Sequence, residues 1–259
     1  MERETTNIVL VIEYDGTNYY GFQLQAGHLE QPTVQSELEK AISKLTGEKL
    51  RVVAASRTDT GVHAAGQVVS FRTRSKIGIN KFVTGLNHYL PADISIISAG
   101  KAKDSFNVRS DALNREYNYY ILNRNTRSAI WRYYTFLVTV PLNVGAMDRA
   151  ARLLVGEYDF ISFTGNPGNL KNTVRSVTES AVEQKEGMLV FHMTAGSFLP
   201  HQIRNTVGAL IQVGTGKLTV DDFRKIKEAK KPGLAGPRVP AKGLFLMKVN
   251  YSKPCGEEK

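Results

Sequence analysis

The sequence of 259 residues is poor in cysteine, tryptophan and long apolar runs, and each scarcity excludes something. The single cysteine, Cys255, rules out an intrachain disulfide framework and a cysteine metal cluster, which points to a reducing, cytoplasmic setting. The longest apolar run, "IVLVI", is far too short to span a bilayer, and the charged start "MERETTN" lacks the apolar core of a signal peptide. A soluble chain with no membrane partner is expected. The five histidines form no HExxH and have no cysteine partners at zinc spacing. "GTGKLT" lacks the Walker spacing, because Gly216 and Lys217 are followed by Leu218 and no glycine sits five places earlier. No Gly-x-Ser-x-Gly elbow occurs either. No metal and no nucleotide cofactor is therefore expected.

What the chain does have is positive charge. Lys and Arg number 34 against 24 for Asp and Glu, a formal balance of +10. Such an excess argues about partners, with nucleic acid leading and an acidic membrane surface or a merely basic protein as the alternatives. Composition is otherwise that of an ordinary globular chain, long enough for one large domain or two small ones.

Periodicity places the elements. "NIVLVIEYDG" reads as a buried strand ending in a turn at Asp15 and Gly16. In "PTVQSELEKAISKLTG", Thr33 can cap a helix, Val34, Leu38, Ala41, Ile42 and Leu45 make its apolar face, and Gly47 can end it. Short strands around Leu50 to Ala55 and Gly66 to Arg72, a helix "INKFVTGLNHYL" stopped by Pro91 and a strand "DISIIS" complete a β-α-β-β-α-β order. A strand "NREYNYYILN" then opens a second half. It continues with a helix "VGAMDRAARLLVG", strands near Val174 to Glu183 and Met188 to Thr194, helices over about Pro200 to Val213 and from Thr219, and the strand "GLFLMKV". The expected fold class is α+β, with two ferredoxin-like halves, residues 1–103 and 104–259, whose antiparallel sheets meet side by side around a basic central cleft.

Three places could carry chemistry. In "AASRTDTGVHAAGQ", Arg57 stands two residues before Asp59, and His63 follows within the same short stretch. An isolated Asp-Thr-Gly is most simply a solvated turn. If Arg57 and Asp59 point the same way, however, the cation favours the carboxylate and lowers its pKa by roughly one to three units, which suits nucleophilic attack or charge stabilisation. Tyr117, Tyr119 and Ile121 should share one face of their strand, either as packing or as phenols that reach a base. Arg204, in "FLPHQIRNTVGAL", is either an ordinary exposed helix arginine or a second cation facing Asp59. Arg72, Arg74 and Lys76 alternate along a strand in a rhythm that can follow a phosphate backbone or line a solvated face. Lys171, Arg175 and the helix "FRKIKEAKK" add further positive charge.

With these residues in hand, "SRTDTGVHAAGQVVSF" resembles the "GRTDAGVHA" signature of the tRNA pseudouridine synthase A family, which isomerises uridines 38, 39 and 40 of the anticodon stem-loop. The resemblance continues in family order through "EYDGTNYYGFQ", "PTVQSELEKAI", "FNVRSDALNREYNYYI", "GEYDFISFTG", "VRSV", "FLPHQIRNTVGAL" and "PAKGLFLMKVNY". It implies Asp59 as the nucleophile, Tyr117 as the tyrosine that packs on uracil and acts at C5, and Arg204 as the cation paired with the aspartate. It implies Arg57 as the residue that holds the target base out of its stack; His63, Tyr119, Arg72 and Arg74 stand beside it as further substrate-binding candidates on their own positions in the sequence. It also implies a homodimer acting on tRNA with no metal or organic cofactor. Ser56 and Thr60 replace the usual glycine and alanine of the signature; Ser56 would restrict a φ > 0 backbone if the glycine served that purpose.

Pseudouridine formation breaks the bond from C1′ to N1 and rejoins the ring through C5. A carboxylate that forms a covalent intermediate divides this into easier steps, by attack at C1′ or at C6. Two other classes remain open at the level of sequence: an inert RNA-binding module of the same fold, and a dimeric aspartic protease, which the helices and the Arg57 cation disfavour. The charge balance predicts that binding to RNA weakens by at least about tenfold between roughly 50 and 200 mM salt in a filter-binding titration. Affinity unchanged across that range would contradict a phosphate-tracking surface.

Overall fold

The computed structural model describes residues 5–24, 31–165, 168 and 172–252. Lys171 and Cys255 lie outside them. The chain is a mixed α+β protein with five α-helices and ten strands among the described residues, and its β-structure is mostly antiparallel. Packing divides it into two compact units, Met1–Arg115 with Leu246–Lys259, and Glu116–Phe245.

The first unit runs in the expected β-α-β-β-α-β order: β1 (Thr6–Tyr14), α1 (Val34–Thr46), β2 (Val53–Ala54), β3 (His63–Thr73), α2 (Ile79–Tyr89) and β4 (Ile94–Ala102). β1 lies between β4 and β3, antiparallel to both, with Leu10 opposite Val69 and Ala99. Both registers slip by a residue between Val11 and Tyr14, where β1 turns into the Asp15–Gly16 bend. α1 begins at Thr33, whose hydroxyl accepts from Ser36 N–H while the Ser36 hydroxyl accepts from Thr33 N–H, and it ends at Gly47 with φ +76°. Val34, Leu38, Ala41 and Ile42 are buried as the periodicity predicts, and Leu45 packs toward Gly85 of α2. Phe71 of β3 meets Phe82 of α2 at 5.9 Å between ring centres.

The last strand, β10 (Leu244–Asn250), runs beside β3. A Cβ on Gly66 would lie 2.5 Å from the Met247 carbonyl oxygen, so only glycine permits the approach. Beyond β10, Tyr251 donates to the Val108 carbonyl at 2.7 Å and packs against Phe106 with the rings tilted at 57°. These contacts group the C-terminal segment with the first unit, whereas the sequence pattern places that strand in the second half.

In the second unit β5 (Asn114–Asn123), β9 (Met188–Ala195), β8 (Val174–Lys185) and β7 (Gly156–Asp159) follow one another across the sheet, and β6 (Phe136–Val138) runs parallel to β5. β8 and β9 join through Glu186 and Gly187, both with positive φ, the mirror-image turn that matches the twist of a two-residue hairpin. Helices α3 (Val144–Arg152), α4 (Gln202–Gly214) and α5 (Val220–Ala229) complete the unit. α5 starts at Thr219, where the sequence pattern begins it, with a reciprocal cap between Thr219 and Asp222. α4 is buried along most of its length, and Phe163 joins Phe160 and Phe223 in the core beside it. No helix among the described residues is long and apolar enough to cross a membrane.

Candidate active site

Asp59 lies in the connection between β2 and β3, half-buried, at the first position of a four-residue turn. Val62 N–H donates to the Asp59 carbonyl at 3.1 Å, and Gly61 takes φ +76°, which the third position of a type II turn requires. The backbone on both sides of Asp59 is pinned. Upstream, the fully buried Gln67 side chain accepts from Ser56 N–H at 3.2 Å and donates to the Ser56 carbonyl at 2.7 Å. Next to Asp59, buried Thr58 shares a 2.7 Å hydrogen bond with the Tyr14 hydroxyl, and its carbonyl accepts from Phe22 N–H at 3.1 Å.

Residues 14–22 form the backing of this loop. A Cβ on Gly16 would lie 2.0 Å from the Val62 carbonyl oxygen, and one on Gly21 2.8 Å from that of Thr58. "EYDGTNYYGFQ" therefore needs its two glycines because backbone meets backbone there, not for a turn alone. His63 closes the arrangement. Its ring is 1% exposed, and Gly16 N–H donates to Nδ1 at 3.1 Å. The Asp15 carboxylate is equally near that nitrogen, at 3.1 Å. A backbone N–H can only donate, so Nδ1 is the acceptor in the Gly16 contact, and the Asp15 carboxylate pairs with that nitrogen only on a protonated ring. Among the described residues positive φ outside glycine occurs at Glu186, His201 and Lys230. Ser56 is thus free of the left-handed strain that its replacement of glycine raised, and Thr60 is exposed.

Arg57 is exposed on the same loop. Its side chain lines a cavity of about 160 Å³ together with Arg109, Phe22, Gln23, Gln35 and Val53. Arg72 and Arg74 lie elsewhere, at or beyond the far end of the 11-residue β3, so the strand carries them roughly 30 Å from His63 at about 3.3 Å per residue. Arg72 meets Asp104, and Arg74 is exposed with its N–H directed at Glu48.

The second unit holds the other three candidates. Along β5 burial alternates, so Tyr117, Tyr119 and Ile121 share the buried face, as their spacing predicts. Tyr117 is 5% exposed and meets Phe198 edge-on at 5.1 Å. Tyr119 is fully buried. Its hydroxyl donates to the Pro240 carbonyl at 2.7 Å, and its ring occupies the space a Cβ on Gly243 would need. Burial pushes the Tyr119 phenol well above the usual tyrosine range, with the nearby Arg204 charge opposing part of the effect. Arg204 lies on the first turn of α4, where Nε donates to the Val239 carbonyl at 2.9 Å. A Cβ on Gly208 would meet the Pro237 carbonyl oxygen at 2.1 Å, so the helix and the 237–240 segment clasp each other around Arg204. The stretches holding Gln67 and Gly16 stand out in the sequence, but these two residues, Gly208 and the 237–240 segment are not legible there as parts of the site, because each acts on backbone through contacts that have no periodicity. Among the described residues no group of three or more His, Cys, Asp or Glu side chains could hold a metal ion.

Residues 10–111 and 150–252 match the family model described as tRNA pseudouridine synthase. A protein named tRNA pseudouridine synthase A from Thermoanaerobacter sp. (strain X514) is 40% identical over 245 residues, covering 95% of this chain and 99% of its own. One of the same name from Acetivibrio thermocellus shows the same identity and coverage, 40% over 95% and 99%. Another from Buchnera aphidicola subsp. Schizaphis graminum is 38% identical over 250 residues, 96% of this chain and 94% of its own.

The clamp on Ser56 has a measurable consequence. Gln67→Leu keeps the volume but removes both side-chain hydrogen bonds to the Ser56 backbone, which should cost about 1 to 3 kcal/mol. Urea unfolding is expected to show a lower midpoint at unchanged slope. An unchanged midpoint would mean that the clamp contributes nothing.

Proposed function

The chain belongs to the tRNA pseudouridine synthase family, and from that membership we propose that it isomerises uridine to pseudouridine at positions 38, 39 and 40 of the tRNA anticodon stem-loop. The observation that carries the reading is the loop at Asp59, a half-buried carboxylate whose backbone is fixed on both sides, inside the part of the chain that matches the family. Fixing the backbone fixes where the carboxylate can be, which is what nucleophilic attack requires. The charge balance of +10 supports a polyanionic substrate.

The chemistry assigns the residues as follows. The target nucleotide leaves its stack at a cost of a few kcal/mol, offset by Arg57 in the vacated space and Tyr117 on the base. Asp59 attacks C1′ or C6, and the bond from C1′ to N1 breaks. The uracil turns and C5 bonds to C1′, displacing the Asp59 carboxylate if it attacked there or followed by its elimination from C6; N1 takes up a proton and Tyr117 relays the C5 proton away. Arg204 supplies the cation that favours the ionised carboxylate. His63 and Tyr119, both buried, act from behind by holding the Gly16 backbone and the Pro240 carbonyl. Arg72 and Arg74 are suited to phosphates distant from the reacting base. The same membership motivates the finer architecture: ferredoxin-like halves at residues 1–103 and 104–259, a basic cleft for tRNA, a homodimer, and a cytoplasmic setting without metal or organic cofactor.

Isomerisation leaves mass unchanged but expels the hydrogen at C5, so tritium release from unmodified tRNA labelled at C5 of uridine reads it directly. Asp59→Ala is expected to lower the single-turnover rate by on the order of 10⁴-fold or more while tRNA is still bound. Tyr117→Phe should retain stacking and lose turnover. A wild-type rate in the alanine variant would remove Asp59 as nucleophile, and tRNA bound without release by the wild type would leave an RNA-binding module.

A further inference from the structure

The cavity beside Arg57 has an unusual balance of donors. Arg57 and Arg109 both line it, and neither guanidinium has a hydrogen-bond or ion-pair partner among the described residues. No acidic side chain is among the described residues that line it, and Glu39, which takes a hydrogen bond from the lining Gln35 at 2.7 Å, also accepts from Val52 N–H at 3.1 Å and meets Arg51 at 3.3 Å. Gln35 is spent as well, since its Oε1 accepts from Leu24 N–H at 3.2 Å. The donors that remain are the two guanidinium groups and the exposed Gln23.

The two arginines are brought there by construction. Arg109 sits in a turn in which the Asn107 side chain accepts from Arg109 N–H at 2.9 Å and from Ser110 N–H at 3.2 Å, while Asp111 accepts from Asn107 N–H at 3.0 Å. The Arg115 guanidinium, itself 7% exposed, then donates to the Arg109 carbonyl at 2.7 Å and to the Ala55 carbonyl at 2.9 Å. A buried cation thus ties the turn that carries Arg109 to the start of the loop that carries Arg57 and Asp59. Two like charges held together without a protein anion are complementary to an anion from elsewhere, and the planar fork of arginine fits phosphate oxygens. A base edge would need both donors and acceptors, and the Gln35 amide is not available for that.

We propose that the cavity lined by Arg57 and Arg109 is a phosphate site in which the Arg109 fork seats one backbone linkage of the RNA next to the target uridine, while Arg57 beside it serves the vacated stack; the inference rests on the function proposed above. Arg115 acts on it through backbone as a positioning residue. Because Arg57 is two residues from Asp59, this contact sets how far the RNA backbone enters toward the reacting carboxylate.

The test uses the full chain with Asp59→Ala, so that no turnover intervenes, and anticodon stem-loop RNA measured by fluorescence anisotropy across a salt series. Adding Arg109→Gln is expected to weaken binding about tenfold and to reduce the slope of log affinity against log salt by about 0.7 to 0.9, the value of one phosphate contact. Arg109→Lys should restore the slope without the full affinity, which a mere folding defect would not do. Stem-loops carrying one neutral methylphosphonate linkage in turn should reveal one linkage whose neutralisation weakens the parent and leaves the Arg109→Gln variant unaffected. Equal affinity and slope in the glutamine variant, or linkages that weaken both proteins alike, would overturn the site even where wild-type tritium release stands. Stem-loop RNA that binds none of the proteins would sink the proposed substrate together with the site.

Discussion

Between residues 16–21 and 58–62 the backbone of the first unit runs so close to itself that neither Gly16 nor Gly21 could carry a Cβ, which would approach carbonyl oxygens to 2.0 and 2.8 Å. Backbone polar groups brought together in a buried place must find partners. They do: Gly16 N–H at His63, Thr58 carbonyl at Phe22 N–H, and Ser56 at both ends of Gln67. Asp59 is thereby carried by a loop with few ways to move, although it has neither helix nor strand of its own. The register slip at the end of β1 delivers the Asp15–Gly16 bend to the same place.

The second unit uses the same device once more. Gly208 lets α4 approach the Pro237 carbonyl, and the reciprocal contacts of Arg204 with Val239 fix the arginine at the start of a buried helix. Tyr119, locked by Pro240 and by the absent side chain at Gly243, then stiffens the strand on which Tyr117 stands. In both units glycine serves rigidity through close approach, at the conformational cost that glycine otherwise brings.

Much of the fold was legible because it rests on local rules. Thr33 and Gly47 bound α1, Thr219 and Asp222 cap α5, and the alternation of β5 put Tyr117 and Tyr119 on one face. β6 and β7 were not legible, being three and four residues long, too short for a period to emerge. β3 starts at His63, earlier than its apolar pattern, because the pairing of Tyr14 with Ala64 extends the ladder to the edge of the loop. Of the site, the clustering of Arg57, Asp59 and His63 in one stretch was visible, and the family resemblance gave that stretch a meaning. The clamps at Gln67 and Arg115 were invisible, since a buried polar side chain that serves distant backbone looks in sequence like any surface residue.

In the proposed reaction, close backbone packing at Gly16 is what places Asp59. Gly16→Ala forces the Val62 carbonyl to move and should shift the Asp59 turn by a fraction of an ångström to an ångström, a displacement worth on the order of 10²-fold in rate. The measurement is the single-turnover rate of tritium release at saturating tRNA for this variant, with circular dichroism to establish that it is folded. A folded protein that binds tRNA within about threefold of wild type and reacts about a hundredfold more slowly is expected. A folded Gly16→Ala variant with the wild-type rate would contradict that placement.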